Sequence, residues 1–241
     1  LADVREVRSQ KSEVRRELEG FAVFGSASKK MCRLLCVRSK TRFEMRPHLD
    51  AFAAIAESCR EFQGHGWGCA WLDADRWRLH HDVRPIWEED HTRFGRTTLL
   101  LAHARSAFRD EGIAVENNMP FFDGERIFIF NGELRGVRLR ETGRIGAEKV
   151  FNFIKRFDRG DLLAALRRAV PILERRTRYV RAMNLLLATR STVHLASRFN
   201  EDPGYFQMQT RRADGIDIIC SEPYPGETGW RRIENGTIET W

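Results

Sequence analysis

Long apolar runs are missing from this chain: no stretch of its 241 residues approaches the roughly 20 that a membrane-spanning helix needs. The first 31 residues, rich in Arg, Glu, Ser and Lys, also lack the apolar core of a secretory signal, so export is not implied. Cysteine is scarce and irregular, with five residues and no Cys-x-x-Cys, which argues against a disulfide framework and for reduced thiols in a cytoplasm. Cys32 and Cys36 are wrongly spaced for a structural zinc site, and His80-His81 adds no ligand pattern, so neither a metal nor a cofactor is expected. Zinc-finger, helix-turn-helix and RNA-recognition signatures are absent. The 41 Lys and Arg against 34 Asp and Glu give a net charge of +7, but arginine is spread along the whole chain. That distribution describes a solvated basic surface better than a nucleic-acid site.

What is present suits one globular domain. The hydrophobic content of 42% is ordinary, and the simplest organisation is a leader over residues 1–31 followed by a domain over 32–241. The leader reads either as the product of a mis-placed start or as a propeptide; a small residue after Met31 lets an initiator methionine be trimmed. Within the domain, Arg33 to Val37 reads as a buried strand, and Phe52, Ile55 and Cys59 recur at helical spacing over 49–62. Cys69 to Leu72 and Trp77 to His81 read as a hairpin about Asp73-Ala74-Asp75, and Leu99-Leu100-Leu101 marks a central strand covered on both faces. Ile127 to Phe130 is another strand, and helices are predicted from Arg144 to Phe157 and from an Asp161 cap towards Arg181, kinked or divided at Pro171. Four strands follow: 183–189, 193–199, 205–210 and 216–221. Elements in this order support an α+β fold.

Five short segments carry chemistry. Met31-Cys32-Arg33-Leu34-Leu35 places a thiol directly behind a methionine. If Cys32 becomes the first residue, its α-amine, titrating at about 7.7–8.0, sits beside its own nucleophile. Next come His65-Gly66-Trp67-Gly68, Ala102-His103-Ala104-Arg105, Glu116-Asn117-Asn118-Met119-Pro120-Phe121 and Phe130-Asn131-Gly132-Glu133-Leu134. Read on its own, the glycine-rich segment is a helix-to-strand turn, Arg105 a solvated strand end and Asn131-Gly132 a hairpin turn.

Together, in this order, the five segments resemble the class II glutamine amidotransferases, members of the N-terminal-nucleophile hydrolases, over Cys32 to Trp241. The resemblance implies a four-layer α-β-β-α sandwich of two mostly antiparallel sheets. It implies Cys32 as nucleophile, attacking the side-chain amide of glutamine or a related amide through a thioester and releasing ammonia. Asn131 and Gly132 become the oxyanion donors, Arg105 the anchor for the substrate α-carboxylate, and His65, Gly66 and Trp67 the segment packed beside the nucleophile. A separate synthase subunit accepting the ammonia is the implied partner, with no nucleic acid and no membrane.

Departures from the family pattern bear on the substrate. His65 stands where relatives usually carry Asp, Phe130 where they carry His, and Phe108 and Arg109 in place of a polar pair. Gly146 stands where an Asp normally holds the α-ammonium of glutamine. Loss of such a charged hydrogen bond weakens binding about ten- to a hundredfold, unless Glu141 or Glu148 substitutes or the substrate lacks that ammonium. Two alternatives stand beside the main reading: a hydrolase of γ-glutamyl or other amides, and a catalytically silent binding or regulatory module.

Overall fold

The computed structural model describes residues 31–107 and 111–241. Apart from Met31, the expected leader lies outside the described residues, as do Phe108 and Arg109. Two antiparallel sheets face each other. The seven-stranded sheet contains β1 (Arg33–Glu44), β2 (Trp67–Asp73), β3 (Arg76–Asp82), β4 (Arg96–Ala104), β9 (Gln209–Ala213), β10 (Ile216–Cys220) and β11 (Arg231–Arg232), in the order β11-β9-β10-β1-β4-β2-β3. The five-stranded sheet contains β5 (Phe121–Phe122), β6 (Ile127–Val137), β7 (Thr177–Ala188), β8 (Val193–Phe199) and β12 (Ile238–Thr240), in the order β12-β8-β7-β6-β5.

Alternation along β1 and β4 builds the layers. Leu35, Val37, Leu100 and Ala102 pack outward with Leu49 and Phe52 of helix α1 (Met45–Glu57). Leu34, Cys36, Leu99 and Leu101 point the other way, into a core shared with β6, β7 and helices α2 (Gly146–Lys155) and α3 (Leu162–Arg175). Each fully buried Leu or Val contributes about 1.5–3 kcal/mol of transfer free energy, which fixes the register because a one-residue slip would invert both faces. On the far sheet Phe128 stacks on Phe151 of α2 at 4.9 Å, so that side of β6 faces the helices and the opposite side, with Asn131, faces the first sheet. The result is an α+β sandwich of two sheets with helices outside them.

Several expected boundaries move. Helix α1 starts at Met45 and ends at Glu57, because Pro47 sits in the first turn, where a missing N–H costs nothing, and the chain beyond Ser58 turns inward to bury Gln63. Asp161 caps α3 as expected, its Oδ1 accepting from the Ala164 N–H at 2.9 Å, and Pro171 is carried inside the helix. The helix nevertheless ends at Arg175, where Thr177 Oγ1 donates to the Leu173 carbonyl at 2.7 Å, and β7 begins at Thr177 instead of 183. Tyr205 belongs to a helical turn over Pro203–Phe206, led by Pro203 after Asp202 at φ 49°, and the strand expected from 205 starts at Gln209. Asn131-Gly132 is no hairpin turn: β6 runs straight through it, with Asn131 opposite Asn184 and Gly132 opposite Met183.

Candidate active site

Cys32 immediately precedes β1 and shares the inner side of that strand with Leu34. Beyond β4, the chain continues through Arg105 as an extra rung: the Arg105 N–H donates to the Gly66 carbonyl at 2.9 Å, and the His65 N–H donates to the Arg105 carbonyl at 3.1 Å. This rung brings Ser106 to Cys32. The Ser106 N–H donates to Cys32 Sγ at 3.5 Å, and the thiol donates back to the Ser106 carbonyl at 3.7 Å.

Gly66 is fixed by sterics. Its φ is +105°, and a Cβ there would lie 2.2 Å from Asn118 Nδ2 and 2.6 Å from the Asp82 carbonyl oxygen. The space it leaves admits Asn118, whose Nδ2 donates to that carbonyl at 2.7 Å and whose Oδ1 accepts from Arg105 Nη1 at 3.3 Å. His65 works from behind: its Nδ1 accepts from the Ala107 N–H at 2.9 Å, which puts the proton of the neutral ring on Nε2. Gly132 is constrained too, since a Cβ would meet the Ala182 carbonyl oxygen at 2.3 Å.

Burial raises the Cys32 thiol above its ordinary value, against the opposing pull of the Ser106 hydrogen bond and the Arg105 charge. A neutral thiol at working pH therefore needs a base to become a nucleophile. Burial also lowers Arg105, which stays charged because a guanidinium holds its proton far above neutral pH. His103, fully buried on β4, is pushed down to about 3 by burial and then by Arg105, so its ring is neutral and a weak proton acceptor. The Phe130 backbone, which faces the ring, pulls weakly the other way.

These groups open onto one cavity of about 750 Å³. Of the residues expected at the site, Cys32, Arg105 and Gly132 line it. Asn131 is 1% exposed and faces the first sheet, with its Oδ1 unpaired among the described residues. His65, Gly66 and Trp67 do not line the cavity. Trp67 is fully buried in the outer core, edge-on to His80 and Phe94, because its position opposite Ala104 puts it on the outward face of the sheet.

Sequence reasoning assigned nothing to Ser106, Asn118, Gln63 or Tyr205. Gln63 Nε2 and the Tyr205 hydroxyl both donate to the Met31 carbonyl, at 2.6 and 3.0 Å, and hold the residue before Cys32 in place. Asn118 sits inside the Glu116-Asn117-Asn118-Met119-Pro120-Phe121 segment, whereas nothing in the sequence signals that Tyr205 reaches Met31. Elsewhere, His80, Asp82 and Glu89 bring ligand-type atoms within 4.8 Å of one another. Arginines already occupy that cluster: Arg84 Nη2 lies 2.7 Å from Asp82 Oδ2, and Arg93 Nη2 lies 2.8 Å from His80 Nδ1. All five cysteines are free, and no helix among the described residues is long and apolar enough to cross a membrane.

No protein-family model matches the chain, and no sequence among the curated proteins does. Solved structures do. A glutamine aminotransferase class-II domain protein from Silicibacter pomeroyi superposes with a TM-score of 0.59 at 19% identity, over 87% of this chain and 94% of that one. Glutamine phosphoribosylpyrophosphate amidotransferase from B. subtilis superposes with a TM-score of 0.61 at 15% identity, over 87% of this chain but 49% of that one, so the fold here corresponds to about half of that enzyme. The chain thus has the fold of the class II glutamine amidotransferase domain, the two-sheet sandwich of the N-terminal-nucleophile hydrolases.

Proposed function

We propose that the protein is a cysteine amidohydrolase of the glutamine amidotransferase type, acting once the Met31–Cys32 peptide bond has been cut. The observation that carries this reading is the meeting of Cys32 Sγ, bonded to the Ser106 backbone, with the buried Arg105 on one wall of a cavity that Gly132 also lines. The freed Cys32 amine takes the thiol proton, and the sulfur attacks the amide carbon. The oxyanion of the tetrahedral adduct is met by the Asn131 side-chain amide and the Gly132 N–H, a pair of donors of the kind worth about 2.7–4 kcal/mol each. The amine then returns the proton to the departing nitrogen, ammonia leaves, and a thioester remains. Water attacks the thioester, the C–S bond breaks, and a carboxylic acid and the thiol are recovered. Arg105 grips a substrate carboxylate through its planar fork. Ammonia is released to solvent or to a separate synthase subunit.

A second reading, a catalytically silent module, draws on the Met31 carbonyl, held by Gln63 and Tyr205 while the Cys32 nitrogen is still in a peptide bond. Intact mass of the cellular protein, followed by labelling with diazo-oxo-norleucine, separates the two. A chain beginning at Cys32 with one adduct there supports the enzyme. A fully active preparation that retains Met31, or an uncut chain that never labels, overturns it.

A further inference from the structure

Resting on the amidohydrolase reading, we propose that the substrate is an anionic carboxamide without a free α-ammonium group, its α-nitrogen being absent or acylated, and with an apolar body beyond the carboxylate that Arg105 holds. Three independent features of the cavity carry this. The first is charge. The Arg105 guanidinium is 6% exposed, and its side-chain hydrogen bond is to the neutral Asn118 amide, so among the described residues it is a buried cation without an ion pair. The carboxylates on the lining do not offer the matching anion for an ammonium: Glu133 is paired with Arg135 and Arg181, and Glu111 is exposed. Lys149 adds positive charge to the same lining, whereas Arg144, also on it, is paired with Glu148. An ammonium brought beside Arg105 would be repelled by the guanidinium and would find no buried, unpaired carboxylate on the lining among the described residues.

The second feature is room. At about 750 Å³ the cavity falls in the range of roughly 300–1,000 Å³ that encloses drug-sized ligands, well beyond one small amino acid. At Gly146, which opens α2 on this lining, an added Cβ would meet nothing within 4 Å. The third is surface chemistry. Met119, Phe130, Leu134, Leu139, Ile145 and Val150 give the lining six apolar side chains. Such a lining is suited to an acyl or hydrocarbon segment and gives nothing to a polar amino acid. The reaction balances without a co-reactant: carboxamide and water give the dicarboxylic acid and ammonia.

The test compares kcat/KM for ammonia release from L-glutamine, from 4-carbamoylbutanoate, which lacks the α-amine, and from Nα-phenylacetyl-L-glutamine, all with the chain beginning at Cys32. The acylated amide should be preferred over glutamine by tenfold or more, with 4-carbamoylbutanoate between them. Gly146→Asp, which places a carboxylate in open space, should narrow or invert that preference, and Gly146→Asn, of the same size without the charge, should leave it in place. A preference for glutamine in the unaltered protein overturns the inference and leaves the amidohydrolase standing. An adduct at Cys32 with none of the three amides hydrolysed also overturns it. Absence of both adduct and turnover removes the amidohydrolase reading itself.

Discussion

The two walls of the cavity are built by different rules. On the first-sheet side, Cys32, Arg105 and Ser106 hang from a rung of backbone hydrogen bonds, and Asn118, His103 and Arg105 are almost wholly buried. On the β6 and α2 side, Leu134, Leu139 and Ile145 are partly exposed, Gly146 and Lys149 are exposed, and the surface is apolar with charges at its rim. Chemistry needs atoms held to within a fraction of an ångström, and a hydrogen-bonded wall supplies that. Choice among substrates needs only volume and polarity, which an apolar wall supplies and can change by single substitutions. On the proposed reading the fixed wall, joined by Asn131 and Gly132 of β6, carries the reaction, and the apolar remainder of the β6 and α2 wall carries the choice of substrate.

Cys32→Ala should break the fixed wall most completely, lowering ammonia release on the order of 10⁴-fold or more while the folded signal in circular dichroism stays intact. Asn131→Ala should lower kcat about 10²- to 10³-fold with a smaller change in KM, as expected for a donor used in the transition state. A loss confined to KM would move Asn131 to the binding side. Arg105→Lys keeps the charge but loses the fork, and should raise KM about ten- to a hundredfold for carboxylate-bearing amides.

Acid sharpens the same contrast through stability. The fold accommodates the neutral forms of His103 and His48, whose values are lowered to about 3 and about 4, in each case chiefly by burial. Since both lie below the unfolded value of 6.5, stability is full above about pH 6.5 and drains away as pH falls towards them. For His103 the loss at pH 5 is about 2 kcal/mol, readable from denaturant midpoints, and His103→Gln should flatten that slope. The smallest expected effect is on the apolar wall. Leu139→Ala should cost about tenfold in kcat/KM for an acylated amide and leave 4-carbamoylbutanoate nearly unchanged.

An α+β fold is legible in the order of the elements, and Leu99-Leu100-Leu101 in a row marks a strand covered on both faces, but the sandwich itself is legible only through the resemblance. Cys32 and Arg105 are legible as a pair through the resemblance, and they meet on the cavity wall. Local spacing fails where long-range pairing decides. Asn131-Gly132 has the composition of a turn, yet β6 is paired with β7 along its whole length and leaves no place for one. Trp67 follows Gly64 and Gly66 in a glycine-rich run, but the strand it opens commits its ring to the α1 side, away from the cavity. Pro171 looks like a helix break, yet α3 carries it and continues to Arg175. Asn118 and Tyr205 act across the chain, Tyr205 on a carbonyl 174 residues earlier, and nothing in a local window encodes that distance.

That long reach has a consequence for biogenesis. A carbonyl clamped by two donors and packed at 2% exposure is a poor target for any soluble peptidase, so in the proposed pathway the cut before Cys32 comes while the chain is still emerging. The closing turn over Pro203–Phe206 would then act as a latch on timing: trimming first, sealing second. Protein refolded with Met31 in place should resist an aminopeptidase added afterwards, and Tyr205→Phe should make that late trimming faster.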